Sequence, residues 1–326
     1  MLTVNFASCF SAILLAIVQA LFLLLLAPVL SGIARKIRAK MHSRQGPLGV
    51  AGILQDYRDI LKLLQRQEVT PAHSGLVFRA TPYVLIATML TVAATLPMLV
   101  QNTALAGASD LITLIYLFAL FRFFFALSGL DSGSAFAGMG ASRELVLGVL
   151  VEPVLILSLL VTALIAGSTS INAMSGLALT DWGGKMPIAA ILAFVACGFA
   201  VFVEMGKIPF DYPEAEQELQ EGPLTEYSGV GLALVKWGIY LKQAVIASLF
   251  LCVFVPFGST TAGDNAGFFY LLFSLIVFAV KLVIVYTLAS LYENSLARGR
   301  FLLTSRVTWM GFGIAALSFA FYFSGI

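Results

Sequence analysis

Charge is scarce in this sequence. Of 326 residues, 19 are Lys or Arg and 17 are Asp or Glu, 11% in all, whereas 60% are hydrophobic and the mean hydropathy is +0.97. So few charges cannot cover the surface of a soluble domain, and no polar stretch is left for a separate soluble catalytic domain. A nucleic-acid partner would need a basic domain, and a net charge of +2 supplies none. Cysteine and histidine are equally sparse. Cys9, Cys197 and Cys252 all lie in apolar stretches with no CxxC pair and no nearby histidine, which excludes an iron–sulfur or zinc ligand set. His42 and His73 are too few for a metal set and read as ordinary loop residues. The N-terminus lacks a basic n-region and an AxA-like cleavage site, so the first apolar run is expected to be a retained span.

What the sequence has is apolar runs of membrane-spanning length, near 20 residues. They fall at Phe6–Leu30, Tyr83–Val100, Leu111–Leu127, Leu145–Ala166, Met186–Val203, Gly238–Phe257, Phe268–Leu291 and Val307–Phe323. The basic residues support this count of eight. Nine lie between Arg35 and Arg79 after the first run, Arg143 follows the third, Lys207 and Lys236 follow the fifth, and Arg298, Arg300 and Arg306 follow the seventh. The opposite connections hold Lys185 alone, and Arg122, Lys242 and Lys281 lie inside runs. Basic residues collect in cytoplasmic loops, so the expectation is an all-α polytopic membrane protein of eight transmembrane helices with both termini outside. It forms a single membrane domain over residues 1–326, with cytoplasmic loops at about 32–80, 129–144, 206–236 and 292–306. In the first loop, Val50, Ile53, Leu54, Tyr57, Leu61 and Leu64 recur at helical spacing opposite Gln55, Asp56, Arg58, Asp59, Lys62 and Gln65. That pattern predicts an amphipathic helix, lying on the membrane surface or walling a functional cavity.

Acid is concentrated in one place. Glu204, Asp211, Glu214, Glu216, Glu218, Glu221 and Glu226 put seven of the seventeen carboxylates into 23 consecutive positions, with Lys207 as the one base. Mutual repulsion among them raises carboxylate pKa values. Pro209, Phe210, Pro213 and Leu219 are interleaved with the acids, which argues for a structured, partly buried segment over a solvated loop. Arg122, Glu144, Glu152, Lys242, Lys281 and Glu293 lie within or at the ends of spans, where a lone charge costs about 2.5 to 3.5 kcal/mol or more. They can be fixed ion pairs, for example Arg122 with Glu152, or parts of a hydrated polar track leading inward from the cytoplasmic side. The excess of carboxylates favours the track. The glycine-rich run Gly129–Glu144 has no preceding strand and therefore is not a nucleotide loop; its glycines suit tight turns and close backbone approach. The absence of an internal repeat and of a broken-helix pair argues against a stand-alone secondary transporter.

The run Glu204 to Ser228 resembles the signature E-x-x-R-x-P-F-D-x-x-E-A-E-x-E-L...E-Y-S of the complex I membrane subunit that roofs the quinone cavity. The turn Arg44-Gln45-Gly46-Pro47 and the stretch Gln55 to Leu64 are similar to that subunit's first cytoplasmic loop. Two departures point to a branch of the family. Lys207 stands where the complex I motif has arginine, and Gly129 to Glu144 resembles the G-L-D-T-G-S-x-F-x-x-x-G-A-S-R-E of membrane-bound group 4 nickel–iron hydrogenases, the formate hydrogenlyase and hydrogenase-4 type. The tail Ala297 to Leu303 favours the hydrogenase-4 form.

That resemblance implies a subunit of the bacterial cytoplasmic membrane on which a peripheral hydrogenase arm docks. Large and small hydrogenase subunits and iron–sulfur subunits would carry the nickel–iron site and the iron–sulfur clusters, with antiporter-like subunits alongside and no cofactor in this chain. It also implies that Glu204, Asp211, Glu214, Glu216, Glu221 and Glu226 line a cytoplasm-facing cavity, and that Glu144 and Glu152 continue a proton path inward, with Arg122, Lys242 and Lys281 as its basic members. Docking and cavity roles would fall to Arg44, Gly46, Pro47, Asp56, Asp59, Lys62 and Lys207. Lysine at 207 lacks the planar, bidentate donor of arginine, which weighs against quinone binding. A complex I type quinone-cavity subunit and a purely structural anchor remain the alternatives.

Overall fold

The computed structural model describes residues 6–46, 49–101, 109–180, 184, 186–261, 268–297, 299 and 304–325. Pro47 lies outside them, as do Lys185, Arg298 and Arg300, and the side chain of Glu216 is also outside the described set.

Eight helices among the described residues are long and apolar enough to cross a membrane. In chain order the helices are α1 (Phe6–Met41), α2 (Gln55–Leu64), α3 (Leu76–Thr95), α4 (Leu111–Asp131), α5 (Ala135–Ala166), α6 (Ile171–Thr180), α7 (Pro187–Glu204), α8 (Glu216–Leu219), α9 (Gly229–Phe254), α10 (Phe268–Ser295) and α11 (Thr304–Ser324). The spans are α1, α3, α4, α5, α7, α9, α10 and α11, and α9 is the most enclosed of them, packing on α1, α2, α3 and α7. Four of the connections are narrower than the apolar runs suggest. Arg, Lys and Ala are good helix formers, so α1 continues through Arg35, Lys36, Arg38 and Lys40 beyond its apolar stretch. At 36 residues it is about 54 Å long, well over the roughly 30 Å of hydrocarbon it must cross. The 129–144 run is almost wholly helical; α4 ends at Asp131, α5 starts at Ala135, and Gly133, at φ +71°, makes the turn. In the same way α3 starts at Leu76, α9 at Gly229, and α10 reaches Ser295. The short helix α6, between two spans, gave no signal in the sequence. At the same end of the bundle, Val100–Gln101 and Thr260–Thr261 form a two-residue parallel pair.

Three spans contain an internal proline, Pro28, Pro82 and Pro153, which leaves the carbonyl four residues upstream without its helical partner, and two of these carbonyls accept aromatic donors. Pro28 frees Leu24, whose oxygen accepts the Trp237 indole N–H at 2.9 Å. Pro82 frees Phe78, whose oxygen accepts the Tyr227 hydroxyl at 2.9 Å while the two rings stack at 4.1 Å. Both donors come from α9 or its entry.

The first-loop helix forms at α2 and packs on α9 and α1. Its inward residues are Asp56, 1% exposed, and Ile60, whereas Leu61 and Leu64 face outward. The sequence pattern put Asp56 on the solvated side. Arg35 of α1 reverses this by pairing with its carboxylate, which draws the acid inward.

Candidate functional site

The segment after α7 is structured and partly buried. Phe210, Tyr212, Ala215, Leu219, Leu224 and Tyr227 are buried, and the Phe210 ring meets Phe199 and Phe202 edge-on. Two glycines let the segment press on α5. A Cβ at Gly140 would lie 2.7 Å from Pro223 and 2.9 Å from the Pro213 carbonyl oxygen, and one at Gly222 only 2.1 Å from that same oxygen. Gly222, at φ +56°, is also in the left-handed region that glycine tolerates.

Folded this way, the segment walls a polar cleft on the side of the bundle that carries the basic loops. Its outer part, about 310 Å³, is lined by Arg35, Asp211, Glu214, Glu221, Lys236 and Tyr240, with Leu224 and Ile239. Lys236 and Glu221 stand 3.7 Å apart at the rim. Its inner part, about 50 Å³, shares Asp211, Glu214 and Ile239 with the outer and continues to Arg122, Glu144, Glu204 and Lys242. Burial pushes the Glu214 carboxyl up to about 7, and the nearby charges of Asp211, Glu144 and Glu221 add to the effect. Lys207, half-buried just past α7, is pushed down by burial against the opposing pull of Glu293. Asp56 is raised by burial despite Arg35.

At the inner end five charges from four helices meet. Arg122 of α4 pairs with Glu204 of α7 and, on α5, with Glu152 and with Glu144 at 3.4 Å. Lys242 of α9 lies 3.3 Å from Glu204 and 3.5 Å from Glu144, with its ammonium 5.4 Å from the centre of the Phe121 ring. Arg122, Glu144, Glu204 and Lys242 are all buried. Gly148 makes room for the guanidinium; a Cβ there would sit 2.5 Å from it. The Glu152 side chain stays 31% exposed, in a small pocket of about 10 Å³ that it shares with Arg122, Glu204, Ile115, Phe118, Leu155 and Ile156. With every group ionised, the cluster holds one more carboxylate than cation. One of the three carboxylates can therefore be protonated while each cation keeps a carboxylate partner.

The structure thus brings together Arg122, Glu144, Glu152, Glu204 and Lys242, and links them through Glu214 and Asp211 to Glu221. Others fall elsewhere. Lys281 donates to the carbonyls of Val255 and Phe257 at 2.8 and 2.7 Å, at the opposite end of the bundle. Glu226 ends the 3₁₀ turn Gly222–Glu226 and does not line the cleft. Arg44, Asp59 and Lys62 are exposed; Asp59 accepts from Gln55 at 2.9 Å, and Gly46 lies against Ala39. Sequence reasoning missed Tyr240 and Gly148, and counted Arg35 only as a loop charge. Tyr240 lies two residues before Lys242 and Gly148 four after Glu144, so spacing from the named charges was the available signal. Among the described residues no three His, Cys, Asp or Glu are grouped as metal ligands.

Eight spans around a buried charge cluster, reached through an acidic cleft, define a polytopic membrane subunit of the complex I-like type. The family described as NADH dehydrogenase matches residues 13–323, and the chain belongs to it. It is 60% identical over 314 residues to hydrogenase-4 component C of Escherichia coli (strain K12), covering 96% of this chain and 97% of that protein. Formate hydrogenlyase subunit 4 of the same organism is 52% identical over 308 residues, 94% of this chain and 98% of that one. NADH-quinone oxidoreductase subunit 8 of Rhodothermus marinus is 31% identical over 250 residues, 72% of each chain. The fold matches a chain of the membrane-bound sulfane sulfur reductase, an archaeal respiratory membrane complex, with a TM-score of 0.80 at 22% identity over 96% of this chain and 99% of that one. These relatives are subunits of multisubunit membrane complexes, and this chain is a multi-pass membrane protein.

Proposed function

We propose that this chain is the membrane anchor and proton-coupling subunit of a membrane-bound nickel–iron hydrogenase of the formate hydrogenlyase type. The observation that carries this reading is the buried cluster Arg122, Glu144, Glu152, Glu204 and Lys242 at the foot of a cleft walled by Asp211 and Glu214. The relatives at 60% and 52% identity, from hydrogenase-4 and formate hydrogenlyase, support the hydrogenase branch over the complex I one. In this reading the basic loops are cytoplasmic, both termini face outside, and the membrane is the bacterial inner membrane. The peripheral arm of large and small hydrogenase subunits and iron–sulfur subunits covers the cleft, and antiporter-like subunits lie alongside. The nickel–iron site and the clusters belong to that arm, so this chain is a non-catalytic subunit. A charge change at the docked arm alters the protonation of Glu214 and Asp211, and the excess carboxylate of the cluster passes the proton inward.

Gentle purification through a tag on this chain tests the assignment. Hydrogenase subunits and nickel are expected to co-purify, with formate- or viologen-dependent hydrogen evolution; a flavin-containing, quinone-reducing arm without nickel would place the chain in complex I instead. Glu204→Gln and Glu152→Gln then test the coupling. Protons moved per hydrogen should fall in assembled complexes, whereas an unchanged ratio, or failure to assemble at all, would leave a structural anchor.

A further inference from the structure

α7 runs toward the basic-loop end of the bundle, where α10 ends and α11 begins. α10 packs on α1 and α9, and α11 on α5 and α7, so these two consecutive spans diverge there and leave a groove of about 610 Å³ between them. Val195, Gly198 and Phe202 of α7 form its floor, with Ala289 on one wall and Met310 and Ile314 on the other. None of its lining residues is charged, and Leu288, Tyr292 and Met310 are exposed along it, so it opens sideways toward the hydrocarbon. At the inner end the Phe194 and Phe250 rings, 5.1 Å apart, close it. Beyond them α11 is drawn back onto α7, the Ser318 hydroxyl donating to the Ala189 carbonyl at 2.7 Å.

The depth of the groove selects its occupant. Its innermost lining residues on the three spans, Phe194, Val285 and Ile314, lie ten residues from Glu204, Ser295 and Thr304, the helix ends on the basic-loop side. Ten residues rise about 15 Å, half of the roughly 30 Å hydrocarbon core. A partner's spanning helix would need a groove across the whole core, whereas an acyl chain of one leaflet ends at mid-membrane. The mouth carries the matching charge. Arg306 stands four residues before Met310 and eight before Ile314, hence on the groove face of α11 in its first turn. Helical side chains lean toward the N-terminus, here toward the interface. Arg306 is exposed, and none of the ion pairs among the described residues engages it. An arginine so placed, beside the amides of a first helical turn, suits a phosphate.

We propose that a phospholipid of the bilayer is a built-in part of this subunit, with one acyl chain lying in the groove between α10 and α11 and its phosphate at Arg306. Met205, 1% exposed, lines both this groove and the inner part of the polar cleft, and so stands between them. The seated chain backs that partition with hydrocarbon and keeps water that enters the cleft from escaping between the diverging spans. The site rests on the fold alone and holds whether or not the charge cluster couples proton movement to hydrogen production.

A phosphatidylglycerol carrying a photoreactive diazirine midway along one acyl chain, added in trace amount to the intact purified complex in detergent, reads the site by residue-level mass spectrometry. Val149 of α5, 74% exposed and outside the groove, is the reference for lipid that only skirts the surface. Val195 and Ala289 in the groove are expected to be labelled several-fold more than Val149. Gly198→Phe fills the groove from its floor, and a Cβ there meets only Phe250, at an ordinary 3.6 Å. It should bring the groove labelling down to the Val149 level, and Arg306→Gln should lower it several-fold, with Val149 unchanged in both. Groove labelling no higher than that of Val149 in the unsubstituted complex would overturn the proposal, as would groove labelling unaltered by Gly198→Phe or by Arg306→Gln. A benzophenone amino acid in place of Ala289 covers the other occupant. Cross-linking to lipid is expected, and cross-linking to another subunit of the complex would give the groove to a protein partner and overturn the proposal.

Discussion

Glu214→Gln replaces the cleft carboxylate whose titration lies nearest neutrality. Burial and the charges of Asp211, Glu144 and Glu221 raise its pKa from 4.5 to about 7. At 1.36 kcal/mol per unit, that shift corresponds to about 3 kcal/mol of preference for the neutral form in the folded chain. Because the folded value is the higher one, this stability is complete below the unfolded pKa and is lost as pH rises through about 7. Above that pH the wild-type chain holds an ionised carboxylate at the full cost, whereas glutamine is neutral throughout. The variant should therefore be the more stable by up to about 3 kcal/mol on the alkaline side, less the hydrogen bonds that the amide fails to make. On the acid side the two should agree closely. Unfolding of the purified chain in mixed micelles of increasing SDS content, followed by tryptophan fluorescence across the range, measures the difference. Infrared difference spectra supply a second readout: a protonated-carboxyl band should disappear on raising the pH through neutrality and be missing in the variant. Parallel stability profiles for wild type and Glu214→Gln would refute the reasoning, since they would mean that Glu214 has the same pKa in the folded and the unfolded chain.

Two further substitutions probe the packing around the site. Arg122→Gln leaves Glu144, Glu152 and Glu204 facing Lys242 alone, and removing one member of a buried ion network costs about 3–5 kcal/mol, which the same SDS titration would read as a large drop in the midpoint. Trp237→Phe keeps the ring but strands the Leu24 carbonyl that Pro28 frees; a loss of about 1–3 kcal/mol is expected, and a neutral result would mean that water replaces the indole there.

Much of the architecture could be read before the structure, because the membrane imposes it. Spans must satisfy their backbone internally, and the Lys and Arg residues sort by loop, so eight runs and the seven connections alternating between the two sides were countable. The identity of the charged residues within spans was equally visible, since Arg122, Glu152 and Lys242 interrupt apolar runs. What could not be read was who meets whom. The spans are apolar nearly all round, so periodicity does not say which way Arg122 or Lys281 points. Arg122 turned toward three carboxylates on two other helices, while Lys281, equally conspicuous in the sequence, tied itself to carbonyls at the far end. Asp56 was misplaced for a related reason: a helix pattern sorts residues by polarity, and a buried partner such as Arg35 overrides that sorting.

The carbonyls freed by Pro28 and Pro82 have a mechanical consequence. Leu24 and Phe78 sit on different helices, α1 and α3, and each is held by an aromatic donor from one stretch of chain, Tyr227 to Trp237. A rod gripped at two points from two sides can neither slide nor turn about its axis without releasing one grip. Lys242 lies five residues beyond the second grip, so the two grips fix where its ammonium stands against Glu204. Tyr227 is also where the acidic segment ends. Any rearrangement of that segment strong enough to pull Tyr227 from its socket would unlock the rod and let the lysine retreat from its carboxylates, which makes the stacked Phe78–Tyr227 pair a detent between the cleft wall and the charges at its foot.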